Sequence, residues 1–169
     1  MQKLVVENLN LAFGSRRVLK DISFDLNTGD SLAVVGRNGS GKTTLLKVLS
    51  GLISPGSGQV VFRDGDRKME EAEIRRKLSF VGPELNLYEN LTALENLEFF
   101  AALYQLNRRQ AATRIDFLLK KVGLDQQADI RFQNYSTGMR QKLAIVRGLL
   151  SNPRVLFVDE PTRSLDPVF

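Results

Sequence analysis

Apolar and polar residues alternate one for one near the start of the chain: Ile22, Phe24 and Leu26 are separated by Ser23 and Asp25, and MQKLVVENLNL keeps the same beat. A period of two puts one set of side chains on each face of an extended backbone, so residues 3–26 predict β structure with an antiparallel start. Gly14-Ser15 and Asn27-Thr28-Gly29 punctuate it. SLAVV, residues 31–35, with four apolar residues after Ser31, has the pattern of a short buried strand. TTLLKVLSG then predicts a short helix that Gly51 closes. QVVFRDG predicts a strand turning at Asp64-Gly65, and KLSFVG, residues 77–82, predicts another.

From Leu91 to Ser151 the spacing changes to that of helices. Thr92 with Glu95 three positions on is a capping-box signature ahead of Leu97, Phe100, Ala101 and Tyr104. Ile115, Leu118, Leu119 and Val122 mark an amphipathic helix ending at Gly123. Met139, Leu143, Val146 and Leu150 mark a third, with Pro153 beyond its end. Strand pattern returns at VLFV, residues 155–158. A helical block is therefore inserted between two pieces of an α/β core, with no internal repeat or low-complexity linker.

Composition narrows the partners only slightly. The 169 residues suit one domain with a real core, and 24 Lys and Arg against 19 Asp and Glu give a net charge of +5. That excess tolerates phosphates, anionic headgroups or nucleic acid, and it is spread too evenly to choose among them. Without cysteine there is no disulfide framework and no thiolate metal site, which fits a reducing compartment. The opening has the strand beat in place of a secretory signal's apolar core, and no apolar run is long enough to span a bilayer, so membrane contact is expected to go through a partner.

Three stretches carry chemistry. GRNGSGKT, residues 36–43, meets the phosphate-loop pattern between an expected strand and helix. Its glycines let backbone N–H groups wrap phosphates, the helix N-terminus adds its positive end, Lys42 reaches the outer phosphates and Thr43 offers a hydroxyl to Mg²⁺. VLFVDE, residues 155–160, puts Asp159 at the end of a buried strand, where it can hold Mg²⁺ through water, with Glu160 beside it as a general base for the attacking water. Alone, that ending is an ordinary acidic turn. NYSTGMRQKL, residues 134–143, has Ser136 as a natural N-cap and Gly138 exposing N–H groups at a helix start, a second anion site that in isolation is simply a capped helix.

Together these motifs resemble the ATP-binding cassette family over the whole chain. YSTGM resembles its LSGGQ-type signature and precedes a Walker B-like strand and SLD, residues 164–166, which resembles the D-loop. The resemblance implies a phosphate-loop α/β core with an N-terminal antiparallel β subdomain and an inserted helical subdomain, the C-terminal strands and helices being absent. Residues 1–84 and 152–169 would be pieces of the core and 85–151 the helical subdomain. It implies ATP and Mg²⁺ as ligands, with Gly36, Arg37, Asn38, Gly39, Ser40, Gly41, Lys42, Thr43 and Thr44 on the nucleotide and Glu160 catalytic. It further implies that Ser136, Thr137, Gly138 and Met139 act on the nucleotide of an opposing cassette, identical or different, and that Ser164, Leu165 and Asp166 form the D-loop. Phe13 matches the aromatic position that stacks on adenine, although a strand-end aromatic is the plainer reading, and Val18 flanks it.

The resemblance also implies a transmembrane partner docking along Glu84 to Leu91, a cytoplasmic place on the inner face of the membrane, and no nucleic acid. LTALENLEFFAALY and NYSTGMRQKLAIVRGLL resemble exporter cassettes. Two departures stand out. In VGPELNLYENLT, Glu84 takes the place of the Q-loop Gln, either as a Mg²⁺ ligand or as a solvated loop acid. The sequence has no His, so the family's switch His and the strand before it are not found. The expectation is an ATPase subunit powering a transporter, with low turnover and marginal stability of this chain alone. The alternatives are a remnant or regulatory module that binds ATP without turnover, and a soluble cassette of translation or DNA repair.

Overall fold

The alternating segment folds as two long antiparallel strands, β1 (Lys3–Phe13) and β2 (Arg16–Asn27), joined by the Gly14-Ser15 turn. The computed structural model describes residues 1–160, which form one unit from Met1 to Arg76 and a second from Lys77 onward. In the first unit β3 (Ser57–Asp64) pairs antiparallel with β1 and turns at Gly65 into β4 (Arg67–Lys68), giving the order β2-β1-β3-β4. Register follows the period of two: Leu4 lies opposite Leu26 and Phe62, and Val6 opposite Phe24 and Val60. Leu4, Val6, Leu9, Leu11, Leu19, Val61 and Phe62 are buried, as are Leu45, Val48 and Leu49 of helix α1 (Lys42–Leu49). Gly51, at φ 75°, ends that helix as expected, its N–H donating to the Val48 carbonyl at 3.0 Å.

The strand expected at residues 31–35 is not formed. The run has no regular secondary structure and joins neither sheet, with Leu32 49% and Val35 91% exposed. An all-apolar strand earns its stability from ladder partners and cover on both faces, and among the described residues none lies alongside this one. One turn of helix, α2 (Glu71–Arg75), was not legible because it buries no residue and so leaves no apolar stripe.

In the second unit β5 (Leu78–Val81) and β6 (Val155–Val158) pair in parallel, with Phe80 opposite Phe157 and Val81 opposite Val158. Three helices make the rest: α3 (Ala93–Leu103), α4 (Arg108–Val122) and α5 (Thr137–Leu149). Their stripes meet in a core that includes Leu97, Ala101, Ile115, Leu119, Leu143 and Val146. Helix α5 also lies close on the strand pair, since a Cβ built at Gly148 would stand 2.6 Å from Val81 Cγ2. Arg114 of α4 closes the far end of α5, donating to the Leu149 carbonyl at 2.6 Å and the Leu150 carbonyl at 2.8 Å, a cation on carbonyls a helix leaves unpaired.

The capping box forms as read: the Glu95 N–H donates to Thr92 Oγ1 at 3.1 Å and the Thr92 N–H to Glu95 Oε2 at 2.7 Å. Thr92→Ala is therefore expected to lower unfolding stability by about 1–2 kcal/mol, measured by urea denaturation with an unchanged slope. A loss below about 0.3 kcal/mol would mean the box is idle.

Candidate functional site

The residues expected to bind phosphate fall in both units. In the first, the exposed loop 36–40 leads into α1 through Gly41, which caps the helix at φ 100°. Only glycine suits that position: the φ is in the left-handed region, and a Cβ would meet Val18 Cγ1 at 2.9 Å and the Val18 carbonyl at 3.2 Å. Val18 thus supports the base of the loop. Lys42 folds back, its Nζ donating to the carbonyls of Gly36 at 2.9 Å and Arg37 at 3.1 Å, which parks an ammonium over the loop. Thr43 and Thr44 follow it in the first turn of α1, which has no carboxylate to compete with an anion for the helix's positive end.

Phe13 ends β1 directly opposite Arg16 and is 54% exposed, an aromatic face left open on the same hairpin that carries Val18. Arg16 itself, which the sequence reading passed over, donates from Nη2 to the Gly39 carbonyl at 3.3 Å. Its one available cue was position, between Phe13 and Val18.

In the second unit, β6 delivers the acidic pair. The ladder continues one residue past the strand, the Asp159 N–H donating to the Val81 carbonyl at 2.8 Å, so the carboxylate stands where the strand ends. Asp159 is 2% exposed, and its Oδ2 has no hydrogen-bond partner among the described residues. A buried carboxylate oxygen left without a donor fits a hard cation that takes oxygen ligands. Among the described residues no three carboxylates gather, so such a cation would complete its shell with phosphate and water. Glu160 follows with φ 51°, a left-handed conformation uncommon outside Asn, Asp and Gly and of a kind that collects at working sites.

The signature stretch opens α5. Ser136 is the N-cap, its Oγ accepting from the Met139 N–H at 3.3 Å, and the first turn again holds no acid. Thr137 is exposed, Gly138 is half-buried, and Met139 packs partly against the helical core. Arg140 fixes the approach to this turn, donating to the Tyr135 carbonyl at 3.1 Å and the Gln133 carbonyl at 2.7 Å with its guanidinium 4.9 Å from the Phe132 ring centre. The same segment reaches the loop before α3, since the Gln133 N–H donates to the Glu89 carbonyl at 3.0 Å.

That loop, 84–91, is held from two sides. Asn96, fully buried in α3, donates to the Tyr88 carbonyl at 3.0 Å and accepts from the Tyr88 N–H at 2.7 Å. Arg147 of α5 donates to the Asn86 carbonyl at 3.2 Å and stacks 5.2 Å from the Phe100 ring centre; burial pulls its guanidinium below the usual range. Glu84 is exposed, and its backbone carbonyl accepts from Asn86 at 3.2 Å. Asn96 and Arg147 were not singled out from sequence, although each is a polar residue in an apolar helical stripe, and that was the available signal. Ser164, Leu165 and Asp166 lie outside the described residues.

A glycine loop capping a helix over a parked lysine, with a strand-borne aspartate and a capped anion-ready helix, defines a phosphate-loop nucleotide-binding class of α/β protein. The sequence profile of the ABC transporter family matches residues 19–163, and the chain belongs to that family, as an ATP-binding domain. It is 36% identical over 151 residues to the ABC transporter ATP-binding protein NatA of Bacillus subtilis, covering 89% of this chain and 61% of that one. It is 36% identical over 164 residues to the linearmycin resistance ATP-binding protein LnrL of the same organism, covering 97% of this chain and 53% of that one. The fold superposes on cbiO1 of Clostridium perfringens, part of the transporter complex cbiONQ, with a TM-score of 0.84 at 29% identity, over 97% of this chain and 67% of that one. The chain spans little more than half the length of the two curated relatives. No helix among the described residues is long and apolar enough to cross a membrane.

Proposed function

We propose that this chain is the ATP-binding part of a subunit that hydrolyses ATP to drive a membrane transporter, and that the transporter is an exporter. The observation that supports the ATP reading is the loop 36–43, in which Gly41 takes a left-handed φ and Lys42 Nζ lies on the loop's own carbonyls, an arrangement that suits a phosphate loop. The loop N–H groups and the start of α1 bind the α- and β-phosphates, Lys42 leaves its carbonyls to neutralise the outer ones, and Phe13 stacks on the base. Thr43 and Asp159, with Glu84 as a further oxygen donor, hold Mg²⁺, which supplies charge neutralisation on the phosphates. Glu160 takes the proton of the attacking water, and Ser136 and Gly138 bind the γ-phosphate held by a second cassette, identical or different.

The export reading is supported by the resistance function in the name of LnrL and by the resemblance in α3 and α5. A transmembrane partner docks along Glu84–Leu91, where Asn96 and Arg147 hold the backbone in one shape. The subunit works from the cytoplasmic face of the membrane through that partner.

The test is calorimetric titration of the chain with Mg-ATP, with phosphate release followed in the same sample. Saturable binding is expected, and Glu160→Gln should keep the affinity within about twofold while removing whatever turnover the wild type shows. No binding would end the ATP reading, and turnover unaffected by Glu160→Gln would remove Glu160 from its role.

A further inference from the structure

Arg16 stands on the phosphate loop without having been counted among its residues. Its guanidinium reaches from the first residue of β2 to the Gly39 carbonyl in the middle of the loop, at 3.3 Å. The hairpin that carries it is fixed against the loop at a second point, where Val18 leaves no room for a Cβ on Gly41. Arg16 therefore approaches the loop from outside while Lys42 covers its other carbonyls, those of Gly36 and Arg37. Residues 36–44 contain Arg37 and Lys42 and no carboxylate, so Arg16 is a third cation on a short acid-free segment.

From this placement we propose that Arg16 is a nucleotide-binding residue that contacts the α- and β-phosphates of a bound nucleoside di- or triphosphate. The chemistry favours an exchange of partners. The bond to Gly39 is long for an N–H donor and is exposed. A phosphate oxygen accepts a shorter, charge-assisted bond, and the released carbonyl meets water at little cost. A guanidinium also keeps donors in reserve, so it can hold the loop and the ligand together. Its contact at Gly39, in the part of a phosphate loop that cradles the α- and β-phosphates, separates it from Lys42, which serves the outer ones.

This inference rests on the nucleotide reading above, and one set of titrations separates the two. The full 169-residue chain and its Arg16→Ala, Arg16→Gln and Arg17→Ala variants are titrated with Mg-ATP and with ADP. Gln keeps a polar amide but has no charge and a shorter reach than the guanidinium, and Arg17 is the exposed cation at the adjacent position. Arg16→Ala and Arg16→Gln are expected to weaken ATP and ADP alike, by about five- to tenfold, while Arg17→Ala stays within about twofold. Wild-type affinity in Arg16→Gln overturns the proposal, because the charge and reach of the guanidinium would then do nothing for the nucleotide. A loss confined to ATP overturns the assignment to the α- and β-phosphates. If Arg16→Ala fails to fold, Arg16→Gln decides alone. A wild type that binds neither nucleotide ends the nucleotide reading itself.

Discussion

Asn96→Leu is expected to cost about 2 kcal/mol and to loosen the backbone of loop 84–91. The side chain is fully buried and pairs both polar groups of Tyr88, its N–H at 2.7 Å and its carbonyl at 3.0 Å. Leucine has the same branched arrangement of heavy atoms, in larger methyl groups, and neither a donor nor an acceptor. The Thr92 and Leu91 carbonyls that also receive Asn96 keep other donors, the Asn96 and Phe132 N–H groups, so the loss concentrates on Tyr88. The Tyr88 carbonyl still accepts from the Leu91 N–H at 3.3 Å, so the Tyr88 N–H is the group left without a partner, a loss of about 1–3 kcal/mol that the gain in apolar burial offsets in part. Two measurements read it: the urea midpoint, and hydrogen exchange at residues 88–91, which should accelerate while exchange in α4 keeps pace only with the global loss. A change below about 1 kcal/mol with Tyr88 still protected would show that the loop is held by Gln133 and Arg147 without Asn96. A positive outcome would identify the segment proposed to meet a transmembrane partner as one whose shape is set from α3, and through Gln133 and Arg147 from α5, the helix that opens with Ser136.

Why these anchors escaped a reading of the sequence, when the capping box and Gly123 did not, is a matter of range. Thr92 and Glu95, or Val122 and Gly123, act within a few residues, and the chemistry of each is fixed by its spacing alone. Asn96 meets Tyr88 because a loop folds back on a helix, and Arg147 meets Asn86 across 61 positions. No local pattern encodes that, although a polar residue inside an apolar stripe is a sign that something is waiting to be bonded. The opposite error occurred at residues 31–35. SLAVV has the composition of a buried strand, but burial is a property of neighbours, and among the described residues this run has no ladder partner. The phosphate loop was legible for the reason the capping box was: Gly36, Gly41, Lys42 and Thr43 fall within one short stretch, residues 36–43, and the loop needs only the turn that stretch makes. Arg16 was not, because it reaches Gly39 from another strand.

Lys42→Ala is expected to raise the dissociation constant for Mg-ATP at least about a hundredfold, equivalent to about 2.7 kcal/mol, while moving the melting temperature of the nucleotide-free chain by no more than about 2 °C. The two effects part because the ammonium does different work in the two states. Without nucleotide it bonds the Gly36 and Arg37 carbonyls of an exposed loop, and water can replace it there at small cost. With nucleotide the same ammonium faces the outer phosphates, and nothing of like charge on α1 stands in the same turn to replace it. Lys42→Arg should recover only part of the affinity, since a planar fork cannot occupy the point between two carbonyls that a compact ammonium fills. Unchanged affinity in Lys42→Ala would mean that nucleotide binds elsewhere or through backbone N–H groups alone. A loss of affinity matched by a large fall in melting temperature would instead make the lysine a structural tie of the loop, and the carbonyl bonds its main task.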